Sequence, residues 1–123
     1  MSNLEHGEQV AFVNWFRATF SNIMIYAIPN GGKRSKTEAI KLKAEGVVPG
    51  IPDLHIPAWR LWVEMKRTKG GRLSQEQGEV IDYLQTIGDT VIVAAGFESA
   101  RAQVLEFVQI GRASCRERVS SPV

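Results

Sequence analysis

Pro52-Asp53 and Glu64-Met65-Lys66, separated by ten residues, supply the side-chain types that a phosphoryl-transfer site uses. On an extended strand, residues i and i+2 project from one face about 7 Å apart. Glu64 and Lys66 then point into one site with Trp62 on the same face, while Leu61, Val63 and Met65 turn to the other. If Asp53 reaches the same place, two carboxylates and an amine converge. Oxygen ligands of this kind suit Mg²⁺, which polarises a phosphate and acidifies water, and a nearby cation orients the attacking oxygen. Asp53 and Glu64 are therefore the candidate metal ligands, joined by the Met65 backbone carbonyl, and Lys66 is the candidate positioning group. An E-x-K pair alone arises by chance in many strands, so the reading rests on what surrounds it.

Two further polar residues lean inward. Gln77 lies three and four positions before Val80 and Ile81, on the core-facing side of its helix. Ser74-Gln75-Glu76-Gln77 also fits the S-x-x-Q capping box, in which Gln77 turns back to the Ser74 backbone; both roles stay open. Glu8 sits one turn before Phe12, where a carboxylate either snorkels into solvent or points into a polar site at the edge of the core.

The elements that must position these groups follow from periodicity. Phe12, Phe16 and Phe20 predict an amphipathic helix over residues 4–20, and Ile23 to Ile28 a short buried strand closed by Pro29-Asn30-Gly31-Gly32. Residues 37–45 predict a short helix with Ile40 and Leu42 as its apolar members, stopped at Gly46. The prolines and glycine of residues 47–52 exclude helix and deliver the chain to a strand starting near Asp53, followed by a strand over 61–66. Ser74 opens a helix with Val80, Ile81, Leu84 and Ile87 on its stripe, ended by Gly88. Thr90 to Ala95 reads as a strand covered on both faces, and Glu98 to Val108 as a closing helix with Ala102, Leu105 and Val108 inward. This order implies an α/β fold, a mixed central sheet flanked by helices.

Composition bounds the alternatives. The 123 residues, 44% hydrophobic and 23% charged, suit one globular domain. No apolar run approaches the roughly 18 residues of a membrane span, and the first twenty residues carry Glu5, Glu8 and Arg17 rather than a secretion leader, so no membrane partner and a cytoplasmic location are expected. A lone Cys115 with His6 and His55 offers no zinc spacing. The net charge of +2 hides a segregation of sign: residues 33–72 hold ten Lys or Arg against four acids, and residues 73–110 one against six. A basic middle suits a polyanion. Asn30, Lys33, Arg34, Lys36, Lys43, Arg67, Lys69 and Arg72 are the candidate phosphate contacts. Gly31-Gly32-Lys33 is no P-loop, because Ala27 and Arg34 stand where Gly and Ser or Thr are needed, so no nucleotide cofactor is expected. Residues 111–123 lack periodicity and an apolar face, and are expected to be a non-native or disordered tail outside a domain of residues 1–110.

Glu8-Gln9, Pro29 to Arg34, Gly46 to Leu54, Trp62 to Lys66 and Leu73 to Gln77, in that order, resemble the VRR-NUC (virus-type replication-repair nuclease) domain, a branch of the PD-(D/E)xK nucleases. The resemblance covers about residues 5 to 108 and implies a restriction-endonuclease-like core, Mg²⁺ or Mn²⁺ dependence, and metal or catalytic roles for Asp53, Glu64 and Lys66. Glu8 and Gln77 match the family's supporting acidic and Gln positions. Short members resemble homodimeric enzymes that cut branched DNA, including four-way junctions, in bacterial or phage-infected cells. The expectation is a structure-selective, Mg²⁺-dependent endodeoxyribonuclease; the rivals are a non-catalytic DNA-binding module and a nuclease acting on simple duplex or single-stranded DNA.

Overall fold

The computed structural model describes residues 3–29 and 35–120, with side chains from Glu5 to Gly111 within those spans. Helix α1 (Asn3–Thr19) is followed by β1 (Tyr26–Ala27), α2 (Lys36–Ala44), β2 (Leu54–Ile56), a 3-10 turn (Pro57–Trp59), β3 (Leu61–Lys66), α3 (Gln75–Thr86), β4 (Thr90–Ala95) and α4 (Phe97–Ser120). The sheet runs β1-β2-β3-β4, with β1/β2 and β2/β3 antiparallel and β3/β4 parallel. A parallel neighbour requires a crossover, which α3 provides. The mixed sheet flanked by helices is the expected α/β architecture.

Alternation along β3 divides the sheet. Leu61, Val63 and Met65 face a core built with Leu54 and Ile56 of β2, Ile92 and Ala94 of β4, Phe12 and Phe16 of α1, and Ala100 and Val104 of α4. Aromatic contacts extend it: Phe16 and Phe20 each meet Trp59, with ring centroids 5.4 and 5.1 Å apart. On the opposite face, Tyr26 bonds His55 Nδ1 at 2.6 Å, His55 stacks on Trp62 at 3.8 Å, and Trp62 donates to Asp89, which Arg60 pairs at 2.7 Å. That row links β1, β2 and β3 to the start of β4. The rest of this face lies under α3, where Ile81 and Leu84 are buried.

Several elements depart from expectation. The predicted buried strand at 23–28 shrinks to two exposed residues at the sheet edge, and only Ile25 enters the core. β4 is the other edge and is covered chiefly on one face: Ile92 and Ala94 are buried whereas Val93 is 38% exposed. An unbroken apolar run does not distinguish a sandwiched strand from an edge strand with one tolerated apolar face. The inner side of α4 is Phe97, Ala100, Val104, Phe107 and Val108, while Ala102 and Leu105 turn outward. Ile87 is likewise exposed beyond the end of α3, and α2 buries none of its residues. α4 runs from Phe97 to Ser120. No helix among the described residues is long and apolar enough to cross a membrane.

The loop before β2 is pinned at Gly50, whose φ of +91° favours glycine and where a Cβ would lie 2.6 Å from the Glu76 backbone. Gly50→Ala is expected to destabilise the protein by about 1–3 kcal/mol, read as a lowered urea midpoint; an unchanged midpoint would contradict this close approach.

Candidate active site

Asp53 precedes β2, and extending the Leu54–Val63 pairing by one residue places it opposite Glu64. The Met65 N–H donates to Asp53 Oδ2 at 2.8 Å, which fixes the carboxyl. An extended residue directs its N–H and C=O to the same side, so the Met65 carbonyl also opens toward Asp53. Asp53 is 8% exposed and Glu64 2%, and they are the buried charged side chains among the described residues. Burying two carboxyls together opposes stability, so the arrangement calls for a function.

Lys66 and Gln77 close the group. Gln77 Nε2 donates to Glu64 Oε1 at 3.0 Å, and Lys66 Nζ donates to Gln77 Oε1 at 2.8 Å while lying 3.6 Å from Glu64 Oε1. Gln77 Oε1 also accepts the Ser74 N–H, and the Ser74 hydroxyl accepts the Gln77 N–H. The capping box and the inward reach, alternatives in the sequence, are therefore both realised by one side chain.

Electrostatics follow from this burial. Desolvation, reinforced by the charge of Asp53, pushes the Glu64 carboxyl up to about 8, with Lys66 opposing. Desolvation also raises Asp53, against the pull of the Met65 N–H. Glu64 Oε2 is buried without a hydrogen-bond partner. Two convergent carboxyls with one orphaned oxygen fit a hard divalent cation. Among the described residues no group of three His, Cys, Asp or Glu could hold a metal. Mg²⁺ commonly uses one or two carboxylates and fills its remaining positions with water and substrate phosphate.

Glu8 is engaged elsewhere. Its Oε2 accepts the Phe97 N–H at the start of α4, a favourable place for a carboxylate, and lies beside Gly96. The α1 carboxylate whose charge acts on Asp53 is Glu5, which the sequence reading passed over. Gln9 Oε1, one turn further on, is buried without a partner. Stepping back from Phe16 by four, three and four residues gives Phe12, Gln9 and Glu5, so the true stripe was legible in alternating helical spacing. Counting back by four from Phe12 selects Glu8 instead.

The candidate phosphate contacts are dispersed. Lys36 and Lys43 are exposed on α2, and Arg67, Lys69 and Arg72 are exposed on the turn after β3. Asn30, Lys33 and Arg34, with the glycine turn beside them, lie outside the described residues.

A solved structure described as a "VRR_NUC domain protein" superposes on this chain with a TM-score of 0.73 at 25% identity, covering 89% of this chain and 91% of that one. This likeness supports the VRR-NUC assignment that the sequence motifs imply. No family model and no curated protein matches the sequence, so the assignment rests on shared three-dimensional form. The shared fold places the chain with the nuclease-like proteins of the PD-(D/E)xK type.

Glu64 yields a pH dependence. Its folded pKa lies above its unfolded value, so the metal-free protein binds this proton more tightly when folded and loses stability as pH rises from about 4.5 through about 8. Urea denaturation between pH 5 and 9 in chelator should show this decline, and Glu64→Gln should flatten it; an equal slope in the variant would refute the assignment. Gln77→Ala should lower both the melting temperature, by the loss of a cap worth about 1 kcal/mol, and turnover; loss of one without the other would separate the two roles.

Proposed function

We propose that this VRR-NUC domain is a Mg²⁺- or Mn²⁺-dependent endodeoxyribonuclease that hydrolyses phosphodiester bonds in DNA, selective for branched substrates such as four-way junctions. The observation that carries this reading is the buried Asp53–Glu64 pair, with its orphaned Glu64 oxygen, beside a lysine held by Gln77. A DNA-binding surface without chemistry gains nothing from two buried carboxyls. Asp53, Glu64 and the Met65 carbonyl would hold the cation. When bound there, the cation supplies Lewis acidity to the scissile phosphate and lowers the pKa of a coordinated water. Gln77 aims Lys66 Nζ, which orients the attacking water and offsets developing negative charge. Glu8 serves by capping α4 rather than by touching the cation.

Lys36, Lys43, Arg67, Lys69 and Arg72, together with Asn30, Lys33 and Arg34, are the proposed backbone-phosphate contacts. A homodimer would supply the two coordinated cuts that resolving a junction requires, and a monomer mass in solution would count against it. Residues 1–110 form the proposed catalytic unit.

Glu64→Ala and Lys66→Ala should each reduce Mg²⁺-dependent cleavage by on the order of a hundredfold or more, while affinity for labelled DNA in Ca²⁺ stays within about threefold. A panel of duplex, single-strand, flap and four-way substrates provides the assay. Full cleavage by purified Glu64→Ala protein would remove the assignment.

A further inference from the structure

Beyond Asp53 and Gln77 the site opens into a cavity of about 410 Å³, bounded on its far side by α2 and the loop that follows it. Leu42, Val47, Val48 and Pro49 give it an apolar wall. α2 forms one side while burying none of its own side chains. We propose that this cleft is a nucleobase subsite, which receives one unpaired nucleotide next to the phosphate positioned by Asp53, Glu64 and Lys66.

The inference rests on the nuclease reading above and narrows its substrate, within branched DNA, to structures with an unpaired nucleotide such as a flap rather than a fully paired four-way junction. The volume falls in the range of pockets that enclose a small ligand, with an apolar lining and polar groups at one end. Those polar groups are Asp53 and Gln77, so a base lodged against Leu42 and Val48 leaves its phosphate at the cation site. Lys43 lines the α2 wall and Lys36 and Lys41 lie on the same helix, which places basic groups near phosphates flanking the lodged nucleotide. Glu76 also lines the cleft, but it is exposed and its charge is screened by solvent. The contact of Gly50 with the Glu76 backbone keeps the floor rigid. A base within a duplex must leave its stack to enter, at a cost that is least for a base already unpaired. The cleft therefore selects DNA carrying an unpaired nucleotide beside the cut.

Ala39 lines the cleft and takes no part in the catalytic group, so Ala39→Trp fills the space, and Val48→Asp changes the polarity of the adjoining loop wall without adding bulk. Fluorescence anisotropy in Ca²⁺ would compare a blunt duplex, the same duplex with a single-stranded flap, and a flap with an abasic residue beside the cleavage position. The wild type should bind the intact flap about tenfold more tightly than the abasic one. Both variants should lose that difference while keeping wild-type affinity for the blunt duplex and the wild-type melting temperature. Wild-type discrimination in both variants, or a wild type indifferent to the abasic residue, would overturn the subsite while leaving cleavage by the wild type, and so the nuclease reading, intact. A wild type that neither binds nor cuts any DNA would overturn both. A variant that changes the mass in solution instead of DNA discrimination would reassign the cleft to a contact between copies of the chain, which also overturns the proposal.

Discussion

Two carboxyls that share a nearly dry space cannot both ionise cheaply, and the arrangement around Asp53 and Glu64 answers that constraint. The Met65 N–H offsets part of the cost at Asp53, Gln77 and Lys66 part of the cost at Glu64, and the two carboxyls lie close enough to share a proton. The compensating groups come from two parts of the chain, β3 and the first turn of α3. The start of β2 must meet β3 in register, and the crossover helix must return its first turn to the same spot. The core on the opposite face, centred on Phe12, Phe16 and Val63, holds β3 in the register that makes this meeting possible.

The sequence shows the chemistry more clearly than the layering. Period-two alternation along residues 61–66 survives in the structure because one face of β3 is filled by a hydrophobic core, which makes a one-residue slip prohibitive. Ser74 and Gln77 were legible for a similar local reason, since a capping box is set by four consecutive residues. What could not be read was anything decided by the neighbour of an element. Whether Val91 and Val93 face protein or solvent depends on β4 ending the sheet, and whether Leu105 or Val104 faces inward depends on the angle at which α4 meets α1. Which α1 side chain reaches the first turn of α4 is of the same kind, since only the docking of α1 brings Glu8 to the Phe97 N–H.

The second face of the sheet is partitioned between two uses. Near the C-terminal end of β3 it is covered by α3 and carries the carboxyl pair, whereas toward the other end it carries the interlocked row from Tyr26 to Arg60. His55 and Trp62 stack across β2 and β3 at a paired position, so the row braces the two strands whose relative offset aligns Asp53 with Glu64. Burial depresses the His55 imidazole below its usual range, which keeps this brace uncharged near neutrality.

Gln77 Oε1 serves the end of a helix and the lysine of the site with the same atom. Helix ends fray before the bodies they belong to, because their opening breaks few contacts. Each excursion of the first turn of α3 withdraws the amide from both partners and leaves Lys66 without its guide. The order of the lysine is thereby tied to the order of one helix end.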